Sequence, residues 1–161
     1  MSIFRIKIPY TPKAKASVRT GKYGHYNPSS RGMLQCQSYV REHLKDYKLP
    51  LMTGPLLVIC HFLIPVPRHV KKLKRAKDHL LPHTKRPDGD NLEKFLNDSL
   101  NGIIWDDDSK ITWLLRTKTL TAEMEGSTTI VVRELANEPL DYDLILETIK
   151  EHIYIGKDDA N

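Results

Sequence analysis

Cysteine is scarce: Cys36 and Cys60 are the two in 161 residues. That excludes the disulfide framework of a small secreted domain. Cys60 lies in an apolar run and is assigned to the core, with neither a bridge nor a metal. No run of 18 or more apolar residues occurs, so no transmembrane helix and no membrane partner are expected. The opening MSIFRIKIPY is too short and too charged for a secretory signal. These absences predict a reducing cytoplasm. Internal repeats are also missing. Acid is absent from the start of the chain, where the first carboxylate is Glu42.

What is present is strongly divided by charge. Residues 1–86 carry 18 Lys and Arg against Glu42, Asp46 and Asp78, a net +15. Residues 87–161 carry 7 against 17 acids, a net −10. A charge run is often only a solvated face. Forty-one residues without an acid favour a polyanionic partner, and nucleic acid is the expected one. The length fits a single domain over 1–161, with a basic insertion at about 65–87.

Periodicity predicts a mixed α+β fold of about four strands and three main helices, in the order βαβαββα. Residues 2–8 alternate as a strand. The basic, Pro/Gly/Ser-rich segment after them suits a hairpin turning at Gly21-Lys22. Lys13, Lys15, Arg19 and Lys22 are candidate phosphate contacts. Tyr23 and Tyr26 are expected to pack on the hairpin rather than stack on bases. Asn27-Pro28 reads as N-cap and first turn of a helix with Met33, Cys36, Val40, Leu44 and Tyr47 on one stripe. Leu56–Ile64 is apolar on both faces, as a central strand should be, with His61 a satisfied core histidine. Residues 65–87 bring Arg68, Lys71, Lys72, Lys74, Arg75, Lys77, Lys85 and Arg86, and a short helix over 68–78. All eight are candidate DNA-backbone contacts. His69, His79 and His83 lack zinc-like spacing and are given no metal; His83 is expected to be a surface residue, with an accessory proton-transfer role as the lesser alternative. A strand over 110–119 sets Ile111, Trp113 and Leu115 opposite Lys110, Arg116 and Lys118. A strand over 127–135 is expected beside it, and a helix over 141–153 closes the fold.

The chemistry concentrates in residues 85–111, KRPDGDNLEKFLNDSLNGIIWDDDSKI. Asp90 reads as an N-cap with Glu93 completing a capping box. Leu92, Phe95, Leu96, Ser99, Leu100 and Ile103 form one buried helical face. Asn101-Gly102 ends the helix with glycine in the left-handed position. Asp88 and Asp90 therefore stand at a helix start, and Asp106, Asp107 and Asp108 at the start of a strand. Singly, these are ordinary caps, an i,i+4 pair with Lys94 and a solvated turn. Gathered together, carboxylates repel unless a cation lies among them, and Mg²⁺ prefers such oxygen donors.

Asp88-Gly-Asp90-Asn91-Leu92-Glu-Lys94, followed by Asn101-Gly102-Ile-Ile-Trp105-Asp-Asp107-Asp108-Ser109-Lys-Ile111, resembles the RusA family of Holliday-junction resolvases, small endonucleases often carried by prophages. The resemblance implies an Mg²⁺-dependent crossover junction endodeoxyribonuclease, with Mn²⁺ as a substitute metal. It would act in recombination and repair, in a bacterial or phage-infected cell. It implies that Asp88, Asp90 and Asp108 bind the metal, with Asp107 a further candidate, and that Lys94 is the essential basic residue. It implies a homodimer acting on branched DNA, each copy carrying its own set of these residues. Two alternatives stay open: a non-catalytic phage DNA-binding protein, and a metal-dependent nuclease for flaps or other branched DNA.

Overall fold

The computed structural model describes residues 3–45, 47, 49–67, 81–136 and 141–153. The chain runs β1 (Ile3–Ile8), β2 (Arg19–Gly21), β3 (Gly24–Tyr26), α1 (Ser30–Leu44), β4 (Leu56–Pro65), β5 (Leu81–Pro82), α2 (Gly89–Leu100), β6 (Ile111–Thr121), β7 (Ser127–Glu134) and α3 (Tyr142–Ile153). Without the small β2–β3 hairpin and the two-residue β5, the order is the expected βαβαββα. The mixed α+β single domain is thus observed. The main sheet has five strands rather than four, in the order β1-β7-β4-β6-β5. The expected helix over 68–78 lies outside the described residues, as do Arg68, Lys71, Lys72, Lys74, Arg75 and Lys77.

β4 is central because, His61 apart, it is apolar on both faces. It pairs in parallel with β6 and antiparallel with β7. Its even residues, Leu56, Val58, Cys60, Phe62 and Ile64, join Phe4, Ile6 and Ile8 of β1 and Ile130 and Val132 of β7. Cys36 and Val40 of α1 and Leu92, Phe95, Leu96 and Leu100 of α2 close over that face. The opposite face buries Leu57, Ile59 and Val131, with Ile145 of α3 also buried. Both cysteines are buried and free. Burial pushes the Cys60 thiol up to about 12. His61 is satisfied, its Nε2 standing 2.9 Å from Thr119 Oγ1.

One pairing differs from the sequence reading. β6 and β7 are not neighbours; β4 lies between them. The connection after β6 must therefore cross the end of β4. Gly126 makes the crossing, where a Cβ would meet Leu63 O at 2.2 Å. Only a glycine admits so close a backbone approach. Periodicity reports faces, not neighbours, so this order is invisible in a single sequence.

Two helix starts also differ. α1 begins at Ser30, after an N-cap at Ser29. Asn27 instead accepts the Ser29 N–H on its side chain, 2.9 Å, and belongs to the preceding turn. Ser29 Oγ accepts from Ala16 N, 2.8 Å, and so ties the 10–18 segment to α1.

Candidate active site

α2 carries Asp88 and Asp90 because its buried face fixes its orientation. Leu92, Phe95, Leu96, Ser99 and Leu100 are buried, which turns Asp90 and Lys94 outward. The N-cap is Asp88, not Asp90, and its side chain makes no capping bond. Glu93 does not reach back to complete a capping box. It has found a better partner in Arg116 of β6, Nη1 to Oε2 2.6 Å. Asp90 lies one turn from Lys94 at 3.6 Å, both more than half exposed. Pairs of this kind contribute roughly 0.3–0.5 kcal/mol, so Lys94 is free to serve another anion.

Arg116 and Lys118 are functional-site residues that the sequence reading left without a role. They occupy alternate positions on one face of β6, under the start of α2. Arg116 passes so close to Gly89 that a Cβ there would meet its Nε at 2.7 Å. Lys118 Nζ donates to the main-chain oxygens of Lys85, 2.7 Å, and Pro87, 2.8 Å. His83 donates its main-chain N–H to Lys118 O, 3.0 Å. Burial, and then the Lys118 and Lys85 charges, hold its imidazole below the usual histidine range. Their alternation on β6 was the available signal; the long-range contacts were not.

The second acidic run sits on a built loop. Gly102, at φ 70°, ends α2. Its N–H donates to Trp105 O, 2.7 Å, and the Trp105 indole donates to Asn101 Oδ1, 2.6 Å. Asp106 N donates to Met52 O, 3.1 Å. The motif's Asn, Gly and Trp thus shape the loop that carries the acids. Asp107 caps a single 3-10 turn over Asp108–Lys110 through its Oδ1, which accepts from Ser109 N at 2.9 Å. Hydrogen bonds from the Ser109 side chain and main chain hold the Asp107 carboxyl below the usual range. Asp108 and Asp88 are exposed, and neither side chain has a hydrogen bond or ion partner among the described residues.

The two runs stand apart in one chain. Arg116, beside Gly89, lies five residues into β6, whereas Asp108 precedes the strand. At ~3.3 Å per residue the Arg116 main chain is ~16 Å along the sheet from the start of β6. Among the described residues, no group of three or more His, Cys, Asp or Glu is placed to hold a metal. Asp88 and Asp90 alone make a two-carboxylate oxygen set, which suits an Mg²⁺ that keeps waters and takes phosphate oxygens from its substrate.

The basic candidates divide. Lys15 turns inward, paired with Asp98, while its main-chain N–H donates to Asn91 O, 2.7 Å. Lys13 donates to Gln35, 3.0 Å. Arg19 and Lys22 are exposed on the hairpin, and Lys85 and Arg86 are exposed before Asp88.

Residues 9–133 match the family model for endodeoxyribonuclease RusA. The chain belongs to the RusA endodeoxyribonuclease family. It is also 29% identical over 129 residues to the uncharacterized protein YqaN of Bacillus subtilis (strain 168), a match spanning 77% of this chain and 88% of that one. Membership in the RusA family makes the chain a nuclease. No helix among the described residues is long and apolar enough to cross a membrane.

Proposed function

We propose that this RusA-family chain is an Mg²⁺-dependent endonuclease that resolves four-way DNA junctions by paired cuts, acting as a homodimer in recombination and repair. Mn²⁺ is the expected substitute. The observation that carries the reading is the pair of exposed carboxylates, Asp88 and Asp108, whose side chains have no partner among the described residues, in a chain otherwise rich in cations. Asp88, Asp90 and Asp108 are the proposed metal ligands. Asp107 is engaged in capping, which favours Asp108 over it.

When bound, the metal polarises the scissile phosphate and acidifies the attacking water. Lys94, on the same outward face as Asp90, supplies positive charge to the phosphorane-like transition state. Lys118 and Arg116 hold the Asp88–Asp90 turn from below. Lys85, Arg86 and the basic residues over 68–77 hold the backbone of the cut strand.

The spacing of the two acidic runs gives the homodimer a task. One chain does not gather Asp108 with Asp88 and Asp90. A twofold pair can set Asp108 of a second copy beside Asp88 and Asp90 of the first, twice over. This arrangement is an alternative to one self-sufficient set per copy.

A labelled four-way junction, a flap and a plain duplex, each with and without Mg²⁺, test the reading. Paired cuts in the junction alone, dependent on metal, support it. Binding without cutting would return the chain to a DNA-binding role, and preferential flap cutting would change the substrate.

A further inference from the structure

Among the described residues the β2–β3 hairpin pairs with no strand of the main sheet. Its six strand residues are all exposed, and it forms a separate two-stranded sheet. Such a ribbon is marginally stable by itself. Its two tyrosines, expected to pack, behave differently. Tyr26 lies against Gly21, where a Cβ would meet its ring at 3.4 Å. Tyr23, in the two-residue turn, is 95% exposed. Gly24, at φ 120°, absorbs the backbone strain of the turn, and no other residue there needs a positive φ. The ring of Tyr23 is therefore held out at the tip with Lys22 Nζ 5.6 Å from its centroid.

Tyr23 is the most exposed of the large apolar side chains among the described residues, and it sits beside a cation. Three observations define a partner for it. Arg19, Lys22 and His25 line the ribbon, and no acid precedes Glu42, so the partner is anionic. The root of the hairpin is fixed beside the candidate active site, since Lys15 N donates to Asn91 O next to Asp90. Eight residues separate Lys15 from Tyr23, so the tip lies within ~28 Å of that anchor. A ring beside a cation, near a phosphodiester-cutting site, matches a base face flanked by phosphates.

We propose that the Arg19–Tyr26 hairpin is the branch-reading element of this chain: Tyr23 stacks on a base pair left uncovered where DNA strands part, and Arg19 and Lys22 hold the adjoining phosphates. In continuous duplex every base face is already covered, so the tip gains nothing there. At a branch point the uncovered face is available without unstacking. The inference rests on the DNA-cutting reading above and names the feature of the substrate that the chain recognises.

The test uses the full chain with Asp90→Asn, so that cutting does not interfere. Binding to a four-way junction and to a duplex of the same length is measured without metal, with and without Tyr23→Ala. The expected result is a fall in junction affinity of roughly 5- to 100-fold, the range for loss of one base–aromatic stack, with duplex affinity unchanged. Tyr23→Trp should restore the preference. 2-Aminopurine at the branch should be quenched by the Tyr23 chain and not by Tyr23→Ala. Unchanged junction affinity in Tyr23→Ala, with a parent that prefers junctions, overturns this inference alone. A parent that binds junction and duplex equally overturns junction recognition, and the hairpin inference with it. Conversion of Tyr23→Ala to a monomer in sedimentation would assign the ring to contact between copies and also overturn the inference.

Discussion

The ammonium of Lys118 holds the main-chain oxygen of Pro87 at 2.8 Å, one residue before Asp88. A cation on a strand thereby fixes the approach to the acidic helix start, while Arg116 fixes its first turn through Glu93 at 2.6 Å. Lys118→Met should leave the sheet folded and junction binding nearly unchanged. It should lower metal affinity and cleavage by roughly 10- to 100-fold, the usual cost of losing a supporting contact to a metal ligand. Lys118→Arg should recover part of the loss. Metal titrations of cleavage, with melting curves as the control, check this. A parallel loss of melting temperature would make Lys118 a fold residue only.

Asp107 and Asp108 should separate cleanly. Asp108→Asn should abolish cutting and leave the melting transition unchanged. Asp107→Asn should cut DNA but weaken the loop, because it loses the acceptor charge that holds Ser109 N. The Asp107 carboxyl sits below its usual range, so its stabilisation is present above the unfolded-state pKa and is lost as pH falls through the lower folded-state value. Melting of the parent and of Asp107→Asn should therefore converge in acid. If Asp107→Asn is the inactive variant, the ligand assignment is off by one.

The course of the chain was largely legible, and the reasons are local. Alternation in Ile3–Ile8 marks a strand and the apolar run Leu56–Ile64 a central one; that Ile3–Ile8 lies at the sheet edge is seen only in the structure. The stripe from Leu92 to Leu100 fixes which way Asp90 and Lys94 face. Non-local partners were not legible. Glu93 satisfies a capping-box spacing, yet binds Arg116, 23 residues away. β7 follows β6 directly but pairs across β4 instead. The acids cluster in sequence, but α2 and the loop after it set the two runs apart in one chain. Tyr23 looked like packing because neighbouring aromatics usually pack; only its exposure at the turn distinguishes it from Tyr26.

Binding should be strongly salt-dependent. If six to ten phosphates are contacted, affinity should fall by roughly 10³- to 10⁵-fold between 50 and 200 mM salt. Replacing Lys71, Lys72, Lys74 and Arg75 by Ala should weaken binding and reduce the salt slope, with melting unchanged. Fluorescence anisotropy across a salt series checks both. A flat response would remove the basic half from the DNA-holding surface.

Sites shared between copies make a further prediction. Heterodimers joining one Asp90→Asn copy to one Asp108→Asn copy should regain one intact site and nick a single strand, although each variant alone is inactive. If each copy carries a self-sufficient set, both sites of that heterodimer are defective and nothing is cut. Differently tagged copies, co-purified and assayed with each strand labelled, decide between the two. Wild type joined to Asp90→Asn should nick one strand in either case.

The central claim is that Asp90 holds a catalytic metal rather than serving only as a surface ion-pair partner of Lys94. Its most direct test is Asp90→Asn, assayed for junction binding by anisotropy and for cutting on a denaturing gel with Mg²⁺. The account predicts binding equal to or tighter than wild type, since a negative charge facing phosphate is lost. It also predicts an unchanged melting transition and no detectable cut. A variant that cuts the junction as the parent does, or one that loses binding and cooperative melting together, would contradict it.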